Sequence, residues 1–479
     1  MSAMPLLAAL DRLIQDKPYL MQTPGHKMGR GAPEDLLARF GRATLCYDMC
    51  EGQELDDLHN PQGALAEAQA MLATHYGADA SFFLVNGSTA GVQALLCTAC
   101  GPKDALVLPR LAHRSAVSGL ITAGARPVWA PIKWSCGWGL PLGMDVTATI
   151  DVLRSSRARA VLATNPSYWG GICDLSRLAV VCQDMNSTLI VDEAWGGHLH
   201  LLPDYASRTA LAVGAAGCVQ SAHKTLGALN QAAWLHSTGR LPLEELQEWL
   251  RIFQSSSPSY LLLASLDAAR AQLASHGHAL LKRAAALAQE IARTVANWPG
   301  FRVMDRADAQ NEGIADLDPC RLVISALDGG WSGWKLASEL LSAGVRCELA
   351  GPGSVLLLIT MADDESILPK ITPLFQRLSR RLESGEPDEH LSLARSLCLS
   401  PPPMPEVVMA PREAFLADAS PCRLSQAAGK VSASLVAPMP PGLPLLCPGE
   451  LITDDVIDYL ARCGCQGEIR VLTGDGIVD

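Results

Sequence analysis

The apolar positions change period repeatedly along the first half of the chain. In ALAEAQAMLATHY, residues 64–76, they recur every three to four positions, and Gly77 follows where a helix would stop. SFFLV, residues 81–85, is a short apolar run, and the helical spacing of TAGVQALL begins just after it at Thr89. DALVLP and RPVWAPI read as strands on either side of the helical AVSGLITAGA. RARAVLATNP and STLIVDEA are apolar runs that stop at polar residues. Strands separated by helices predict an α/β fold with a mainly parallel sheet covered on both faces. Such sheets bind ligands at the carboxyl ends of their strands. The polar residues closing VLATNP and LIVDEA are therefore site candidates by position alone.

Beyond SPSY, residues Leu261 to Ala296 form a long Ala/Leu-rich helical stretch. CRLVISAL and SVLLLIT then read as strands and WKLASELLSAG as a helix, while SGEPDEH and LSPPPMPE have linker composition. APMPPGLPLLCPGE, near the end, is rich in prolines that favour an extended course. The expected division is an N-terminal arm (1–60), a large domain (61–296), a smaller α+β domain (297–385) and a C-terminal domain (386–479). No internal repeat is visible.

Composition narrows the function classes. The chain has 479 residues, 49% hydrophobic and 18% charged, with a formal net charge of -11. It has no Lys/Arg block interleaved with aromatics, so nucleic acid is not an expected partner. Asp11 interrupts the first apolar patch, and no run approaches the roughly 20 apolar residues of a membrane span. The expectation is a soluble, cytoplasmic protein. The 15 cysteines are scattered; Cys97 and Cys100 form a lone C-x-x-C without a matching pair, so buried thiols are expected and no metal site.

One lysine is out of place. In SAHKTLGALNQAAWLH, residues 221–236, Lys224 is embedded among small and apolar residues. A lysine that forms a Schiff base must lose its proton part of the time, and a partly dry pocket promotes that. Four further stretches fit around it if the cofactor is pyridoxal 5'-phosphate. NGSTAG opens a helix, whose N-terminus with the hydroxyls of Ser88 and Thr89 suits a phosphate. Asp192, closing LIVD, can pair with a protonated pyridine nitrogen. His113 can stack on a ring face, and Ser221 and His223 lie beside the lysine. Each alone reads equally well as a cap, a turn residue or a structural histidine; the constellation is the signal.

The stretches TPGHKMGRG, LDDLHNPQGALAEAQ, FFLVNGSTAGVQALL, ATNPSYWGGICDL, VDEAWGGHLH, QSAHKTLGALNQAAWLH and SSSPSYLLLASLDAAR resemble the Orn/Lys/Arg decarboxylase family, as does the C-terminal AAGKVSASLVAPMPPGLPLLCPGE. The resemblance implies the aspartate-aminotransferase-like fold (fold type I) with pyridoxal phosphate bound by the large domain. It implies that Lys224 carries the cofactor, Asp192 pairs with the ring nitrogen and His113 stacks on the ring. It also implies that Ser88, Thr89, Ser221 and His223 surround the phosphate. Members are homodimers or assemblies of dimers with shared sites, so SSSPSY, with Ser256, would reach the neighbour's cofactor. Trp195 stands where histidine is common, and Arg114 replaces a lysine. No N-terminal wing domain is expected ahead of TPGHK, which points to the short, biosynthetic type.

The implied reaction is decarboxylation of a basic amino acid, arginine to agmatine in polyamine biosynthesis, with lysine or ornithine as alternatives. Lys224 or His223 would return the proton. Acidic groups should meet the substrate's distal cation: Glu450 and Asp57 are candidates with Asp56 and Glu348, and Trp195, in the wall beside the cofactor, would bear on substrate preference. An aminotransferase or lyase on the same fold, using Arg321 or Arg346 for a carboxylate, and a catalytically silent paralogue are the competing readings.

Overall fold

The structure is a computed structural model that describes residues 3–52, 55–437 and 443–473. Its seven principal strands are β1 (Ala80–Leu84), β2 (Ala105–Pro109), β3 (Arg126–Ala130), β4 (Ala160–Thr164), β5 (Thr188–Asp192), β6 (Gly217–Gln220) and β7 (Ala233–Ser237). The chain packs as two compact units, Met1–Thr98 with Asp192–Ala279, and Ala99–Val191 with Leu280–Asp479.

In the first unit β7 lies between β1 and β6 and runs antiparallel to both. It is the exception to the parallel pattern. Its sequence AWLHS mixes apolar and polar positions and so gives a weak strand signal. The helix after β1, Gly87–Ala99, sits very close to the strands because Gly91 has no side chain. A Cβ there would come within 2.6 Å of Val219 and 2.7 Å of Leu84. The expected helix over 64–76 forms, closed by Gly77 in the left-handed region, φ 70°. Helix Pro5–Gln15 opens the chain and packs on helices Ala64–Tyr76 and Tyr260–Gln272. Leu6, Leu10, Leu65 and Leu72 are completely buried, each contributing roughly 1.5–3 kcal/mol. Asp267 accepts the Leu6 and Leu7 N–H groups at 2.9 and 3.3 Å and pairs with Arg270, so its buried charge is balanced.

The stretch expected as one long helix is interrupted. Helix Tyr260–Gln272 passes through a π-helical turn, Leu273–Gly277, before His278–Ala296. A Cβ on Gly277 would lie 2.8 Å from Leu201, so this turn is pressed against its neighbour and the wider winding rephases the helix there.

The second unit holds the strand order β3–β2–β4–β5. β2 pairs parallel with both β3 and β4, as the alternating strand–helix pattern predicts. A hairpin, Ile132–Ser135 with Leu140–Met144, follows β3. Four antiparallel strands, in the order Arg302–Val303, Arg321–Ser325, Val355–Leu358 and Leu349–Ala350, carry a core with Trp331 and Phe375 fully buried. Near the C-terminus Ala419–Arg423 pairs antiparallel with Glu468–Leu472 around Leu446, Ile452 and Leu460. Part of the proline-rich stretch, 438–442, lies outside the described residues. No helix among the described residues is long and apolar enough to cross a membrane.

Candidate active site

Lys224 stands on a short helix, Ala222–Thr225, directly after β6. The Ser221 N–H donates to the Ala194 carbonyl (3.1 Å) and the Lys224 N–H to that of Ser221 (3.0 Å), so the lysine is placed by main-chain bonds. Its ammonium lies 4.2 Å from the centroid of the Trp195 ring, and Trp195 is only 5% exposed. The indole face offers a charged amine an apolar wall that still attracts it. Trp195 is thus a neighbour of the lysine itself.

His223 is half-buried, and its Nδ1 lies 2.9 Å from the Ala232 carbonyl. A carbonyl only accepts, so Nδ1 carries the hydrogen and Nε2 presents its lone pair. Burial, and then the nearby Lys224 charge, hold the imidazole below its ordinary pKa even though the Ala232 carbonyl pulls the other way. A neutral His223 can accept a proton at Nε2.

Gly87, at φ 73°, makes the turn from β1 into its helix, a conformation closed to most other residues. The first N–H groups of that helix have no intrahelical partners and suit an anion. Ser88 Oγ and Ser221 Oγ lie 2.8 Å apart, joining the helix opening to the lysine segment. Thr89, next along, is exposed. Asp192 ends β5 with 6% exposure, and its Oδ1 accepts the Ala194 N–H at 3.1 Å. One compact unit therefore brings together an amine, a buried carboxylate and a hydroxyl-lined helix N-terminus. That donor set fits pyridoxal 5'-phosphate: amine for aldehyde, carboxylate for ring nitrogen, N–H and O–H donors for phosphate.

Behind Asp192 lies a buried polar chain that the sequence pattern does not single out. Glu193 is fully buried; its Oε1 accepts the Ala210 N–H (2.9 Å) and its Oε2 the Gln220 side-chain amide (2.8 Å). Gln220 then offers its Oε1 to His236 Nε2 at 3.3 Å, and His236 Nδ1 meets Ser81 Oγ at 2.7 Å. Tyr76 stacks between His200 (4.8 Å) and His236 (4.7 Å) and donates its hydroxyl to the Gly197 carbonyl (3.0 Å). The available signal was polar residues inside the apolar strands GCVQ and AWLHS.

Burial pushes Glu193 up to about 7 and His236 down to about 3. The two act in opposite directions on stability. Unfolded His236 binds its proton near 6.5 and folded His236 only near 3, so stability falls as pH drops through that window, by about 1.4 kcal/mol per unit. Glu193 is protonated earlier in the fold than in the unfolded chain and offsets this between about 4.5 and 7. Compared with His236→Gln, the wild type should therefore lose about 1.4 kcal/mol more stability between pH 7.5 and 5.5. Denaturant unfolding at the two pH values checks this; equal losses would contradict it.

The remaining candidates are placed as follows. In the second unit, His113 caps helix Arg114–Ala123. Its Nδ1 accepts the Ser115 N–H (3.2 Å) and meets Ser115 Oγ (2.8 Å), which leaves the ring hydrogen on Nε2. Arg114 is exposed. Glu450 is 1% exposed, and both its oxygens accept from Arg110, a contact 340 residues apart in sequence. Arg110 also donates to the Leu445 carbonyl at 2.8 Å and stacks over Trp129 at 4.5 Å. The carboxylate expected at the substrate's far end is thus already balanced by a buried guanidinium. Asp56 caps helix Ala64–Tyr76, accepting the Gln62 and Gly63 N–H groups at 2.8 and 2.7 Å. Asp57, Glu348, Arg346 and Ser256 are exposed. Arg321, the other carboxylate clamp of the aminotransferase reading, is buried against Asp318 (3.2 Å) and the Ser167 and Tyr168 carbonyls.

The family model for the Orn/Lys/Arg decarboxylase major domain matches residues 4–367, and that for the C-terminal domain matches 393–466. The chain belongs to the Orn/Lys/Arg decarboxylase family. It is an amino-acid decarboxylase by that membership. The arginine decarboxylase of Bacillus anthracis is 29% identical over 461 residues, covering 96% of this chain and 92% of that protein. The constitutive lysine decarboxylase of Escherichia coli (strain K12) is 26% identical over 558 residues, covering 97% and 78%. The solved structure of lysine decarboxylase A from Pseudomonas aeruginosa superposes with a TM-score of 0.84 at 22% identity, covering 98% of this chain and 80% of that one. The fold is accordingly α/β, fold type I, as the resemblance implied.

Proposed function

We propose that this decarboxylase acts on arginine, with pyridoxal phosphate held at Lys224, and releases agmatine and carbon dioxide. The observation that supports it most is the grouping of Lys224, Asp192, Ser88 and Ser221 in one compact unit. Arginine is favoured because arginine decarboxylases match nearly the whole chain at 29% identity, against 26% for the lysine enzyme of Escherichia coli. Bound there, the cofactor supplies an electron sink for the pair left when the Cα–carboxylate bond breaks.

The side chains do the rest. Lys224 anchors the cofactor and later carries a proton within reach of Cα. Asp192 holds the proton on the ring nitrogen. The helix opening at Gly87, with the hydroxyls of Ser88, Thr89 and Ser221, takes the phosphate. Neutral His223 accepts or returns a proton at Nε2. Trp195, buried beside the amine, gives it an apolar wall. On the family resemblance, His113 covers a face of the ring, and two chains complete each site through Ser256. With Glu450 paired to Arg110, exposed Asp57 is the better partner for the substrate's distal cation.

Lysine is the second reading, supported by the Escherichia coli relative. The test is a product assay on arginine, lysine and ornithine, with and without added cofactor, on protein sized by sedimentation. We expect a dimer or larger, and agmatine formed at least about tenfold faster than the other amines. Cadaverine or putrescine as the faster product would overturn the arginine assignment, and keto acid without amine would overturn decarboxylation.

A further inference from the structure

The strand ends that carry Asp192 and Lys224 are joined twice, once by main chain and once by side chains. The main-chain bonds are Glu193 N–H to the Val219 carbonyl (3.0 Å) and Ser221 N–H to the Ala194 carbonyl (3.1 Å). The side-chain bond is Gln220 to Glu193 at 2.8 Å. Glu193 directly follows the ring-nitrogen acid, and Gln220 lies four residues before the cofactor lysine. A bond between these two side chains therefore ties the segments that must stay in register on one small ring.

The rest of the chain gives that bond a direction. Ser81 and His236 are cross-strand partners, and Gln220 shares their face, two residues on from Cys218, which pairs with His236. With the Gln220 amide donating to Glu193, its carbonyl must accept from His236 Nε2–H, and the bare Nδ1 must accept from the Ser81 hydroxyl. Every donor points toward the Glu193 carboxylate. Burying such a chain among apolar strands costs stability unless all its members are satisfied, and a satisfied chain then specifies one geometry. Tyr76 closes it from the side, stacked on His236 and bonded to Gly197, two residues after Trp195.

We propose that Glu193 and Gln220 are positioning residues for the decarboxylation, pinning Asp192 to the Lys224 segment, although neither touches the reactants. This rests on the roles assigned above to Asp192 and Lys224. The loss expected from a broken pin is one of alignment: weaker cofactor hold and slower turnover, with little change in substrate affinity.

The experiment is an exchange of the two side chains. Gln220→Glu alone sets two carboxylates face to face. Adding Glu193→Gln restores the bonds between the two side chains and to Ala210, since the new amide donates to position 220 and its carbonyl accepts from Ala210. We expect Gln220→Glu to raise the dissociation constant for pyridoxal phosphate, titrated into apoenzyme by absorbance, at least about tenfold. Turnover at saturating cofactor should fall about tenfold with KM within about threefold, and the visible band of the bound cofactor should shift. The exchanged double variant should return within about threefold of wild type on all counts. If Gln220→Glu does not fold, Gln220→Met, which keeps the volume and adds no charge, is judged by the same cofactor and turnover changes. A variant that is less thermostable but unchanged in cofactor affinity, spectrum and turnover would overturn the proposal, as would a double variant no better than the single one. An Asp192→Asn control separates the two readings. If that control keeps wild-type cofactor affinity and rate, the site assignment fails, not the pin.

Discussion

Lys224→Ala is expected to reduce turnover by at least about a thousandfold while leaving the protein folded. In the proposed mechanism the amine both anchors the cofactor and moves a proton, and loss of a positioned acid–base group alone costs about 10²–10⁴-fold. The segment is held by main-chain bonds that alanine keeps. Lys224 is placed by its own N–H on the Ser221 carbonyl, and that segment by the Ser221 N–H on the Ala194 carbonyl. Among the contacts alanine removes is the one with the Trp195 face, worth about 0.5–2 kcal/mol. Rate assays with circular dichroism check both halves. Residual activity within tenfold of wild type would remove Lys224 from the chemistry.

The second large effect belongs to Asp192. A buried carboxylate on a protonated ring nitrogen makes a charge-assisted bond, and such bonds contribute about 1.5–3 kcal/mol. Asp192→Asn should therefore weaken cofactor retention and lower kcat by about ten- to 150-fold. Asparagine keeps an oxygen for the Ala194 N–H, so the turn survives and the loss reports on charge. Asp192→Ala removes the turn bond as well and should lose stability besides rate. Titration of apoenzyme with pyridoxal phosphate, beside steady-state kinetics, measures both. A wild-type rate in Asp192→Asn with bound cofactor would refute the ring-nitrogen pairing.

Much of this was readable from the chain. β1, β2, β3, β4 and β5 are short apolar runs bounded by turn residues, and the helical spacing of TAGVQALL and AVSGLITAGA separates the first three. Asp192 and the Ser88 turn stand out because polar residues at strand ends in an α/β pattern are conspicuous. Lys224 stands out because its charge sits among apolar residues. Other features depend on contacts that spacing does not encode. β7 carries a histidine, His236, whose partners Gln220 and Ser81 come from β6 and β1, so its pattern is not that of an apolar run. At the break Leu273–Gly277, Gly277 is pressed against Leu201, more than seventy residues earlier, a contact that local spacing does not announce. Glu450 looked available as a carboxylate near the chain end, and only the fold brings Arg110 to it. Glu193 is adjacent to a residue identified from sequence, yet its role lies in a hydrogen bond to Gln220.

The position of the covalent link can be read directly. Purified enzyme carrying pyridoxal phosphate, reduced with borohydride, digested and mapped by mass spectrometry, is expected to show the cofactor's added mass on Lys224 and on no other lysine. The modification on a different lysine, or none at all in active enzyme, would contradict the account.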